Sequence, residues 1–189
     1  MALIPYADED PQDDRVRTLV ARLPEPHINL FAMLANAPAL AGPTLRLGEA
    51  ILTRSDLDPA LRELVILHCA RLTGTEYEWV QHEAIARLIG VGEEQIGAVD
   101  RGEIGEGPFD RRAALALQLV GQLLPGGTPE PELVAQVASE LGRAELIEVL
   151  IVAGYYAMLG GVMRAVQLDV DSVLEKGMID RDRLTGDGA

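Results

Sequence analysis

Between Asp58 and Gly90 the chain is punctuated at helix-length intervals, and this spacing limits the fold more than any other feature. Asp58-Pro59 is a strong helix start: the aspartate offers a side-chain acceptor at the cap, and the proline presets φ at the first helical position. The run Leu61-Arg62-Glu63-Leu64-Val65-Ile66-Leu67 follows, continuing to about Leu72 before Gly74 ends it. Thr75-Glu76-Tyr77-Glu78 opens a second helix, which passes through His82 and Ala86 to a stop at Gly90. Everything else in the chain is read outward from this pair.

Upstream, Val16, Leu19, Val20 and Leu23 recur at helical spacing until Pro24 and Pro26 interrupt them. Further helices are expected near Ile28 to Asn36 and Pro43 to Thr53, with Pro38, Gly42 and Pro43 blurring their limits. Downstream, a short helix at Glu93 to Val99 leads into the glycine- and charge-rich loop 101–108. Helices near Asp110 to Leu124, Glu130 to Leu141 and Ala144 to Leu168 follow. No strand-like alternation of useful length occurs. Apolar residues make up 48% and aromatics only 4%, so the core must be built from Leu, Ala, Val and Ile, which suits packed helices. The expectation is an all-α, compact helical fold of about eight or nine helices, with a single domain over residues 1–175 and a polar tail over 176–189.

Glycines 154, 160 and 161 interrupt the apolar pattern of the last long helix, where each costs about 1 kcal/mol relative to alanine. Close approach of another helix, within the subunit or across a subunit interface, is the expected compensation.

Composition also excludes function classes. A net charge of −14 repels phosphate backbones and anionic membrane surfaces, so neither nucleic acid nor membrane is an expected partner. Lys176 is the only lysine, which argues against Schiff-base and pyridoxal phosphate chemistry. Cys69 is the only cysteine, so there is no intrachain disulfide and no thiolate zinc cluster, as suits a reducing cytoplasm. The start of the chain turns acidic without a basic region or an apolar signal core, and no export signal is read there. The uncharged run Val149 to Met163 falls short of the roughly 20 residues a bilayer span needs, and is read as a buried core helix.

Glu63, Thr75, Glu78 and His82 stand out in the central pair. Glu63 lies in an apolar run and requires a partner, which an imidazole would supply. Glu78 and His82 are four residues apart on one helix, on the same face, and are candidates for an acid and base pair. Glu78 sits in the first turn, where the macrodipole favours an anion, and is expected ionised unless a bound substrate desolvates it. Thr75-x-x-Glu78 also matches a capping box, which would explain both residues structurally. His82 has a second reading as a satisfied core residue. Tyr77 and Trp79 face different sides, one toward a pocket and the other into packing, and His68 and Cys69 are expected mainly to pack.

The pattern Glu63-x11-Thr75-x2-Glu78-x3-His82 resembles the alkyl hydroperoxidase D motif, Glu-x11-Cys-x2-Cys-x3-His, with both cysteine positions replaced. Arg62-Glu63-Leu64, Tyr77-Glu78-Trp79-x2-His82 and Gly90-Val91-Gly92-Glu93-Glu94-Gln95-Ile96 resemble the cysteine-free carboxymuconolactone decarboxylase-like proteins. The resemblance extends over most of residues 28 to 168, through Pro38-Ala39-Leu40, Leu57-Asp58-Pro59, Glu145-Leu146-Ile147 and Tyr155-Tyr156. It implies a helical domain assembled as a homo-oligomer (dimer, trimer or hexamer), with a site between helices near the motif histidine. By position, Glu63 and His82 correspond to the proton-relay pair of the peroxidase branch.

Without a peroxidatic thiol that mechanism cannot run, and no peroxidase activity is expected. The resemblance implies instead a lyase-like enzyme that acts on a small-molecule substrate, an organic acid, lactone or related carbonyl compound, by cofactor-free acid and base catalysis. His82, Glu63 and Glu78 are the expected catalytic residues, with Tyr77, Thr75 and His68 contributing to substrate binding. No cofactor and no metal are expected, although two carboxylates and an imidazole would suit several divalent ions. A non-catalytic binding or assembly protein is the alternative, and a redox protein using Cys69 between subunits is the third reading.

Overall fold

The structure, a computed structural model, describes residues 1–23, 25–105, 107–124, 126–171, 173 and 181–185, with Arg183 as backbone only. Every regular element among these residues is a helix. In chain order they are α1 (Asp14–Val20), α2 (Asn29–Leu34), α3 (Pro38–Arg54), α4 (Pro59–Thr73), α5 (Glu76–Ile89), α6 (Glu93–Arg101), α7 (Arg111–Leu123), α8 (Pro131–Leu141), α9 (Arg143–Val166) and α10 (Arg181–Thr185).

The central punctuation behaves as the local rules require. The Asp58 side chain accepts hydrogen bonds from the backbone N–H groups of Ala60 and Leu61, capping α4. Gly74 and Gly90 adopt left-handed conformations, with φ of 66° and 98°, to end α4 and α5. All ten residues from Leu61 to Ala70 are buried. A helix apolar on every side belongs at a centre, and α4 touches α5, α6, α7 and α9. The main core gathers around it, including Leu64, Val65, Ile66 and Leu67 of α4, Leu117 and Val120 of α7, and Val149, Val152 and Ala153 of α9.

One boundary differs from the sequence expectation. A single helix α3 begins at Pro38 and contains Pro43, instead of starting there. Proline removes one donor and frees the carbonyl four residues earlier, here Ala39. Both Ala39 and Pro43 are exposed, which leaves that carbonyl open to solvent, and the helix continues.

Helix α9 is the one helix among the described residues long and apolar enough to cross a membrane, yet half of its most apolar 18-residue window is buried inside the protein. That burial is the core-helix role expected of Val149 to Met163. After α9 the chain turns back across the molecule. Asp171 accepts from the Tyr77 hydroxyl at 2.6 Å and from the Asn29 backbone N–H at 2.8 Å. Of the expected tail, residues 176–180 and 186–189 lie outside the described residues. Residues 181–185 form α10, which packs on α3 and α5 and buries Leu184.

Candidate active site

Helices α4 and α5 bring Glu63 and His82 together. The His82 Nδ1 lies 2.7 Å from Glu63 Oε2, and the second carboxylate oxygen accepts from Arg62 Nε at 3.1 Å. Arg62 also donates to the Leu184 carbonyl at 3.3 Å. Glu63 is fully buried, and Arg62 and His82 nearly so. A buried carboxylate is tolerable when its charge is paired and both oxygens are bonded, as here. In the tautomer that donates from Nδ1 to this carboxylate, Nε2 carries the lone pair and is an acceptor. The Tyr156 ring of α9 stands edge-on to His82, with ring centroids 4.9 Å apart, and fixes the imidazole plane from the other side.

His82 and Glu78 line one cavity of about 480 Å³ between α3, α5, α9 and α10. The walls are mainly apolar, with Leu30, Leu52, Ile85, Leu159, Met163 and Leu184 among them. This is the size and character of a small-molecule site. Tyr77 and Gln81 also line it, but their polar ends are engaged. Tyr77 donates to Asp171, and Gln81 donates to the Asp171 carbonyl and accepts from the Val173 N–H at 2.9 Å.

Glu78 is the opposite case from Glu63. It is 1% exposed, and neither carboxylate oxygen has a hydrogen-bond partner among the described residues. Burial pushes its pKa up to about 8 against a smaller opposing pull from Arg164, so at neutral pH it holds a proton. The expectation that the helix macrodipole keeps Glu78 ionised is therefore overturned: desolvation outweighs the fraction of a charge at a helix N-terminus. The capping box is absent as well. Thr75 occupies the N-cap of α5 but makes no capping bond, and its hydroxyl pairs with that of Thr73 at 2.8 Å. Glu78 and His82, though on one face, are not bonded to each other.

Gly160 explains how Glu78 is sealed. A Cβ there would stand 2.5 Å from Thr75 Oγ1 and 3.1 Å from Glu78 Oε2, so only a hydrogen atom lets α9 close over the start of α5. The expected close approach is real at Gly160, while Gly154 and Gly161 have nothing within 4 Å of an added Cβ. Thr75 itself does not line the cavity.

His68 lies outside the cavity too. It is buried with neither ring nitrogen partnered among the described residues, and a Cβ on Gly121 of α7 would lie 3.5 Å from its Nε2. Burial pushes its pKa down to about 4, so the ring is neutral. Trp79 packs half-buried against the core. Cys69 is fully buried, and burial together with the nearby Glu78 drives its thiol well above the usual range, the reverse of what a redox role requires. Among the described residues no group of three His, Cys, Asp or Glu side chains is placed to hold a metal ion.

The Carboxymuconolactone decarboxylase family matches residues 38–107, from α3 through α6. This segment, and not the whole chain, is what is similar to that family. It carries Glu63, Thr75, Tyr77, Glu78 and His82, and it is narrower than the expected span of 28 to 168. The two side chains at the motif's cysteine positions, Thr75 and Glu78, lie side by side opposite Gly160. No curated protein matches the chain.

Residues that the motif did not disclose complete the site: Arg62, Gln81, Tyr156, Gly160 and Leu184. Arg62 was visible as a second charge inside the apolar run. Gln81 and Leu184 left no local signal, because their roles depend on the returning segment after α9.

Proposed function

We propose that this family domain is an enzyme that transfers protons to and from a small carbonyl compound without a cofactor. His82 Nε2 is the base, Glu63 orients the imidazole from behind and stabilises the imidazolium that forms, and protonated Glu78 is the acid. The observation that carries this reading is the contrast within one cavity. One carboxylate is permanently engaged behind the histidine, and the other is kept neutral and unpartnered at the wall. Pairs of titratable groups pushed apart by their surroundings are how acid and base roles are divided at neutral pH. Decarboxylation, isomerisation and hydration or dehydration all draw on this arrangement, since each needs a proton delivered to or removed from carbon next to a carbonyl.

Incubation of lactones, keto acids and ketones in deuterated water, followed by proton NMR, tests it. Loss of signal from the carbon beside the carbonyl, or conversion to product, is expected with the native protein. His82→Ala is expected to slow it by about 10²- to 10⁴-fold. A full panel left unchanged by the native protein would remove the enzyme reading.

The assembly reading has its own support in α9, whose exposed side presents Ile147, Ile151, Met158 and Val162. An apolar stripe of this kind is expected to be covered by a second copy of the chain, as a homo-oligomer, and light scattering on the purified protein would show a monomer if it is not.

A further inference from the structure

The polar groups of the cavity divide by whether they are already used. The Tyr77 hydroxyl, the Gln81 amide and the Tyr155 hydroxyl, which donates to the Thr44 carbonyl at 3.1 Å, are committed to the protein. The Glu78 carboxyl, the His82 Nε2 and the Tyr156 hydroxyl have no partner among the described residues. These three sit on α5 and α9, while the rest of the wall is largely aliphatic. Two of them, Glu78 and Tyr156, donate hydrogen bonds at neutral pH, and the third accepts a proton.

We infer that the cavity takes an uncharged, mostly apolar molecule with one enolisable carbonyl, in contrast to a substrate carrying two or three carboxylates. The inference rests on the proton-transfer reading of the same site and narrows its substrate. Glu78 and Tyr156 hydrogen-bond the carbonyl oxygen. His82 Nε2 removes a proton from the adjacent carbon, the C–H electron pair becomes the C=C bond of an enol, and the oxygen takes the Glu78 proton. The reverse transfer regenerates both groups, so no oxidant, reductant or further reactant is needed. Among the described residues the one cation lining the cavity is Arg46, exposed and followed three residues later by the carboxylate of Glu49, and this wall offers little to a polyanion. At about 480 Å³, and at ~30 Å³ for each water-sized group, the space holds roughly 8 to 14 non-hydrogen atoms with room to move.

Binding of 2-octanone, adipate and octanoate, measured by calorimetry at about pH 6.5 and about pH 9.5, tests this apart from catalysis. The ketone is expected to bind at the lower pH and to weaken about 30-fold at the higher one, as Glu78 ionises and ceases to donate. The groups facing Glu78 are Cys69 from α4, His82 from α5, and Tyr155, Tyr156 and Arg164 from α9. Burial keeps the thiol and both phenols protonated across this range. His82→Ala isolates the imidazole and is expected to preserve the pH dependence, whereas Glu78→Gln is expected to bind equally well at both values. Adipate is expected to bind at least about 100-fold more weakly than 2-octanone, with octanoate between them. Tighter binding of adipate, absence of 2-octanone binding, or an unchanged pH dependence in Glu78→Gln would overturn the inference. Binding of 2-octanone with no deuterium exchange on any panel member would leave the ligand class standing and remove the catalytic reading. Exchange of charged acids alone would do the reverse.

Discussion

Glu63 and Glu78 are two buried glutamates on adjoining helices, and the protein treats them in opposite ways. Glu63 has a guanidinium on one oxygen and an imidazole on the other, while among the described residues Glu78 has a hydrogen-bond partner on neither. Burial alone therefore does not decide what a carboxyl group is for. The partners decide whether the group stays charged as a fixed electrostatic element or waits as a neutral acid. The first arrangement costs little because it is complete, and the second is a standing penalty, tolerable in a small domain only where it serves something.

The largest break in this comparison comes from Glu63→Gln. It leaves Arg62 buried without a countercharge and is expected to lower stability by about 3 kcal/mol in urea denaturation. Loss of under about 1 kcal/mol would mean that the pair is not a closed unit. Glu78→Gln acts in the other direction. The folded protein binds the Glu78 proton more tightly than the unfolded chain does, so native stability is greatest below the ordinary value of 4.5 and declines as pH rises toward about 8. The glutamine variant escapes that decline and is expected to gain roughly 2 to 3 kcal/mol at neutral pH, with a flatter profile between those limits. An unchanged profile would place the proton elsewhere.

Gly160 and Gly161 sharpen the contrast at smaller amplitude. Alanine at 161 meets open space and is expected to stabilise α9 by about 0.5 to 1 kcal/mol, whereas alanine at 160 drives into Thr75 and Glu78 and is expected to destabilise by about 1 to 3 kcal/mol. Thermal melts of the two variants should move in opposite directions, and movement together would show that the seal over Glu78 is loose.

The parts of this arrangement that were legible in the sequence are those written in short-range signals. Asp58-Pro59, Gly74 and Gly90 marked α4 and α5 because caps and left-handed glycines act within one turn. The Glu63 and His82 pairing was legible through motif spacing and the need of a carboxylate in an apolar run. The state of Glu78 was not, because the local term, a helix N-terminus, points to the anion, and the deciding term is desolvation, to which α9 contributes where Gly160 packs against Glu78, far along the chain. Pro43 misled for a related reason: whether a proline ends a helix depends on whether the carbonyl it frees can reach water.

Asp171 ties the Asn29 N–H and the Tyr77 hydroxyl to one carboxylate, across sequence separations of 142 and 94 residues. In chain-entropy terms it is a reversible staple that closes very large rings, and the cost of closing a ring rises only with the logarithm of its length. Lengthening the exposed turn after α6 by about ten residues would add only about 0.1 kcal/mol to the closure that fixes Tyr77. This wall of the cavity is thus thermodynamically insulated from the length of the surface loops, which leaves those loops free to diverge while Tyr77 stays in register.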